Sequence, residues 1–102
     1  MIERETLVEM REYIGRGWCQ HDCAQNSKKE PVFFNSPDIC FVCLTGALYL
    51  VHPHLNLPTF HALNSRLEKI LGVESIGAWN DAPGRTQGEV LDLLDTAIAR
   101  LK

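Results

Sequence analysis

No stretch of this chain is long and apolar enough to cross a bilayer. The longest apolar run, Ile39 to Val51, is interrupted by Thr45 and Gly46 and falls short of the roughly 20 residues that a membrane helix needs. The opening MIERETLVEMRE is charged from its third residue, which does not fit a secretory signal. Basic runs are equally scarce. None exceeds the pair Lys28 and Lys29, and the formal net charge is -3 at pH 7, so nothing draws the chain as a whole to a phosphate backbone and nucleic acid is a poor candidate partner. The expectation is a cytoplasmic protein without a membrane partner. In that compartment the four cysteines are thiols or metal ligands rather than disulfides. Local catalytic signatures are missing as well.

What the chain does have is clear local punctuation, strongest at its end. In WNDAPGRTQGEVLDLLDTAIARLK, Thr86 is followed three residues later by Glu89, the capping-box pattern in which hydroxyl and carboxylate satisfy each other's backbone amides. A helix should therefore start at Gln87. Val90, Leu94, Ala97 and Leu101, widened by Leu91 and Ile98, make one buried stripe, while Asp92, Asp95 and Arg100 lie off it. Before this helix, Trp79 is placed to plug the end of a bundle. Asn80 or Asp81 can bond local amides in a turn that leads through Pro83 and Gly84.

Three further helices are expected. Glu3 to Ile14 carries the stripe Leu7, Met10 and Ile14, and Gly15 and Gly17 end it. Ser36 as cap and Pro37 in the first position predict a second helix, in which Ile39 to Val51 is nearly all apolar; with no solvated face it should be the central one, stopped by Pro53 after His52. A third spans Leu57 to Leu71, with Pro58 in its first turn and Gly72 as its C-terminal cap. The connection from Gly72 to Arg85 is long for a bundle and predicts a short extra turn at Ser75 to Trp79. Residues 16–36 read as a loop or small hairpin, with Trp18 to Ala24 and Pro31 to Phe34 around a polar turn at Gln25 to Glu30. Phe33 and Phe34 would face opposite ways on an extended segment, leaving one exposed as a mark of a partner surface.

The motifs GWCQ at Gly17 to Gln20, CLxGAL at Cys43 to Leu48, and WNDAPGRTQxEVLxLLDxAI at Trp79 to Ile98 resemble a family of short bacterial and phage hypothetical proteins of unknown function. The resemblance implies a grouping and no chemistry, and by analogy an accessory or regulatory role. The family pattern usually has glycine at the position of His21 and no cysteine at that of Cys23, which argues against a metal site as a shared trait.

Two constellations carry possible chemistry. An extended Trp18 to Ala24 would place Cys19, His21 and Cys23 on one face; with Cys43, and Cys40 one helical turn before it, they offer ligands for a tetrahedral zinc. Against this, C-x-H-x-C is no standard knuckle, and cysteines in an apolar helix act as small hydrophobes. Cys19 with His21, oriented by Asn80 or Asp81, would be a thiol nucleophile, but nothing places that thiol at a helix N-terminus. The third constellation is a surface for binding: Trp18, Cys19, Gln20, Trp79, Asn80, Asp81 and Arg85 as the lining of a small-molecule or peptide pocket.

Residues 1–102 are thus expected to form one all-α domain, four main helices around a central apolar helix, with a loop or small hairpin at residues 16–36. It should act as a small binding or interaction module with no cofactor. The partner, protein or small molecule, is unspecified, and a homo-oligomer is open. The alternative is a small metal- or thiol-dependent enzyme, zinc being the cofactor, built from Cys19 and His21 near Asn80 and Asp81.

Overall fold

In a computed structural model describing residues 2–101, the chain forms α1 (Ile2–Arg16), β1 (Ala24–Gln25), β2 (Phe41–Val42), α2 (Leu44–Val51), α3 (Leu57–Leu71), α4 (Ile76–Asn80) and α5 (Gln87–Arg100). Helix dominates, and the strands are a two-residue antiparallel pair, with Ala24 opposite Val42 and Gln25 opposite Phe41.

The helices begin where side chains satisfy their orphan amides. Thr86 Oγ1 accepts from Glu89 N at 3.2 Å and Glu89 Oε1 accepts from Thr86 N at 2.9 Å, closing the capping box at α5. Asn56 caps α3 by accepting from Thr59 N at 2.9 Å, and Gly72, at φ 76°, ends it in the left-handed conformation. The extra turn exists as α4. Ser75 caps it, and Glu68 reaches across from α3 to accept from Ile76 N at 2.8 Å.

The centre differs from the expectation. α1 packs against both α2 and α5, and its Leu7, Met10 and Ile14 are fully buried among Leu44, Leu48, Val90 and Leu94. α2 is only eight residues long, because the first half of the apolar run is extended rather than helical. The reason lies in competition for its amides. Cys40 N donates to Gln25 O at 2.8 Å, Val42 N to Gly17 O at 3.0 Å and Cys43 N to Cys23 O at 3.2 Å, so three amides that a helix starting at Pro37 would have used are taken by the preceding segment. Ser36 serves a local turn instead, its Oγ accepting from Asp38 N at 3.2 Å. The cap of α2 is Cys43, whose sulfur accepts from Gly46 N at 3.3 Å.

Residues 16–36 contain part of the expected hairpin. Asn26 organises its turn by accepting from Lys28 N and Glu30 N, Lys29 adopts φ 63°, and Gln25 bridges Pro31. Trp18 to Ala24, however, is not a strand. Trp18 makes a single bridge to Val42, and the chain then bends, with His21 at φ 71°. Two glycines allow this segment to sit so close. A Cβ on Gly17 would lie 2.1 Å from the Cys40 carbonyl oxygen, and one on Gly46 only 1.9 Å from that of Cys23.

Candidate functional site

Trp18, Cys19 and Gln20 meet Trp79, Asn80 and Asp81 around a single buried amide. The Asn80 side chain, 0% exposed, accepts from Trp18 Nε1 at 2.8 Å and Leu44 N at 3.1 Å through Oδ1, and donates to Cys19 O at 3.2 Å and Asp81 Oδ1 at 2.9 Å through Nδ2. Gln20 Nε2 donates to the carbonyls of Asn80 and Ala82, both at 3.0 Å. Asp81 Oδ1 in turn accepts from His21 N at 2.9 Å. No buried side-chain polar atom among the described residues lacks a partner. Asn80 thereby joins the 18–21 segment, the start of α2 and the end of α4, making one frame out of three stretches far apart in sequence.

Arg85 completes the frame from outside. Its guanidinium lies 3.8 Å above the Trp79 ring centre, its Nε donates to Trp79 O at 2.9 Å, and it stands 3.6 Å from Glu89 on α5. The expected binding set therefore does come together, with its polar atoms engaged in internal bonds.

The thiols stand beside this frame, and all four cysteines are free. Cys19 is buried and donates to Asp22 O at 3.3 Å; burial pushes its thiol up to about 12, with Cys43, Asp22, Cys23 and Asp81 adding to the shift. Burial likewise pushes Cys43 up to about 11, against the opposing bond from Gly46. Neither is a ready nucleophile towards a dissolved reagent at neutral pH. His21 does not assist: its ring is 74% exposed and stands 4.0 Å from Asp81 Oδ2.

The model of a family of unknown function, DUF6197, matches residues 3–100. The chain belongs to this family. No curated protein and no solved structure matches it.

Two expectations for this DUF6197 chain are corrected. Cys19, His21 and Cys23 do not share a face, because the positive φ at His21 turns its side chain outward while Cys19 stays buried. Cys40 and Cys43 are not on one helix; Cys40 is exposed ahead of β2 and Cys43 is the cap of α2. As a result, no group of three or more His, Cys, Asp and Glu among the described residues is arranged to hold a metal ion. Among the described residues, no helix is long and apolar enough to cross a membrane.

The DUF6197 chain also has a cleft that sequence patterning did not reveal. About 210 Å3 in volume, it lies between the end of α1 and the 34–42 segment, with Tyr13, Phe34, Ile39, Val42 and Leu50 as apolar walls and Arg16 at its rim. Arg16 lies 5.3 Å from the Tyr13 ring centre and pairs with no carboxylate among the described residues. Phe34 is stacked on Tyr49 at 4.4 Å, and Tyr49 on Phe60 at 4.1 Å, which anchors that wall to α2 and α3. Phe33, next to it, is 85% exposed. The adjacent aromatics were the available sequence signal; Arg16 and Tyr13 gave none.

Proposed function

We propose that this DUF6197 chain is a small interaction module that receives an extended segment of a partner protein in the cleft beside α1. An apolar side chain of the partner inserts between Tyr13, Phe34 and Leu50, and an acidic residue meets Arg16. Phe33 packs over the bound segment. The observation that carries this proposal is a cleft with apolar walls and a cation that pairs with no carboxylate among the described residues, its wall residue Phe34 being preceded in the chain by a phenylalanine that is 85% exposed. Trp18, Cys19, Gln20, Trp79, Asn80, Asp81 and Arg85 then act as a frame that holds the 17–20 segment against β2 and so fixes the cleft floor. The cytoplasm is the natural setting for such a module with reduced thiols, in an accessory or regulatory role in bacteria or phages.

A displayed library of random peptides tests this. Wild-type protein should enrich sequences pairing an apolar residue with a nearby Asp or Glu, and Arg16→Glu should weaken their binding by about tenfold or more. Enrichment of no peptide that distinguishes wild type from Arg16→Glu and Phe33→Asp would overturn the proposal.

A further inference from the structure

Continuing the β1·β2 register one step beyond the pair Ala24 and Val42 sets Cys23 directly opposite Cys43. The Cys43 amide donates to the Cys23 carbonyl at 3.2 Å, as expected of hydrogen-bonded antiparallel partners, whose Cα atoms stand about 5.5 Å apart. Such a separation falls within the roughly 4.4–6.8 Å range of Cα spacings found in disulfides. Gly46 keeps the approach tight, because any Cβ there would collide with the Cys23 carbonyl. The two thiols differ in access: Cys23 is exposed and Cys43 buried. They are also near enough to interact, Cys23 being among the causes of the upward shift at Cys43.

We propose that Cys23 is an oxidation site for hydroperoxides, with Cys43 as its resolving partner, so that the pair closes reversibly into a cross-strand disulfide. In the first step the Cys23 sulfur, as thiolate, attacks one peroxide oxygen. The O–O bond breaks, the other oxygen leaves with a proton as water or alcohol, and Cys23 becomes a sulfenic acid by losing two electrons to the peroxide. In the second step the Cys43 sulfur attacks the Cys23 sulfur, the S–O bond breaks, and the hydroxide departs as water with the Cys43 proton. Two thiols and one peroxide thus yield one disulfide and two oxygen-containing products, and a dithiol reverses the change by exchange. Exposure of Cys23 keeps the bridge open to such a reductant. The closed loop runs from Cys23 to Cys43 and contains Phe33, Phe34, Ser36, Ile39 and Cys40, so oxidation tethers the exposed aromatic and one cleft wall to the start of α2. The chemistry stands whether or not the cleft binds a peptide.

The test uses the reduced full chain carrying Cys40→Ser, which removes the other exposed thiol, treated with a small excess of hydrogen peroxide. Non-reducing peptide mapping should find a Cys23–Cys43 linkage with the loss of two hydrogens, restored by dithiothreitol, and the melting temperature should rise by about 10 °C on oxidation. Neither change should occur in Cys23→Ser or in Cys43→Ser, where serine retains the cap of α2. Linkage of Cys23 to Cys19, or accumulation of Cys23 sulfinic acid without any disulfide, would overturn the assignment of Cys43 as partner. Absence of any peroxide-dependent change at Cys23 would overturn the site itself.

Discussion

The two halves of the Asn80 frame reach their conformations by different routes. From Ser75 to Arg100 the boundaries are set mostly by neighbours in sequence: Ser75 caps α4, with Glu68 adding one bond from α3, Arg85 folds back on Trp79, and Thr86 and Glu89 cap one another. From Gly17 to Cys43 almost every boundary is set from a distance. The amides of Cys40, Val42 and Cys43 are claimed by residues 15 to 25 positions earlier, and Gly17 and Gly46 matter only because another backbone passes against them. Local determination leaves a trace in a sequence, and remote determination mostly does not.

The largest effect should come from breaking the remote side. Gly46→Ala asks a methyl group to occupy a position 1.9 Å from the Cys23 carbonyl oxygen, a backbone atom that cannot swing away. The expected loss is about 4 kcal/mol or more, read from chemical denaturation, or failure to fold. A loss under about 1 kcal/mol would show that the 23–25 segment does not lie on α2. On the local side, Leu94→Ala should cost about 3–5 kcal/mol, since Leu94 is wholly buried in the α5 stripe that faces α1.

The junction between the halves comes next. Asn80→Ala would strand the half-buried Trp18 indole N–H and the buried Leu44 amide, at a cost of roughly 2–3 kcal/mol. It should also shift the near-ultraviolet signal of Trp18 while leaving most helical circular dichroism in place. An unchanged tryptophan signal would mean that the two segments are not joined through Asn80. Thr86→Ala is smaller, about 1 kcal/mol, because only one end of α5 is loosened.

These contrasts explain what could be read from residues alone. α3 was legible at both ends and α5 at its start, because Pro58, Gly72, Thr86 and Glu89 act within one turn of themselves. The run from Ile39 to Val51 was not, because hydrophobicity without polar alternation does not separate a buried strand from a buried helix, and the Ser36-Pro37 signal described a turn. Cysteine is also a cap outside the usual set of oxygen-bearing residues, so the true start of α2 gave no warning. For the candidate site, residue types pointed to Trp18, Gln20, Asn80 and Asp81 as one group. Their role could not be read, since a buried asparagine that frames a fold and an exposed one that binds a ligand look the same in one dimension.

The smallest expected effect is at neutral pH and grows only with alkali. Cys19 and Cys43 have folded-state pKa values raised to about 12 and about 11, above the ordinary thiol value that they regain on unfolding, and burial is the main cause in both. In the folded protein they therefore hold protons that the unfolded chain releases. Their contribution to stability is fully present below the unfolded thiol pKa, about 8.5, and is lost as pH rises through the folded values. Stability should be flat with respect to these groups from pH 6 to 8 and fall above about pH 9. The same burial predicts the labelling pattern. At neutral pH a thiol reagent should modify Cys23 and Cys40 rapidly and reach Cys19 and Cys43 only on unfolding, so a Cys19→Ala or Cys43→Ser variant should lose a slow thiol and keep both fast ones. Rapid labelling of Cys19 in the native protein would mean that the 18–21 segment opens readily, and that the frame around Asn80 is weaker than its bonds imply.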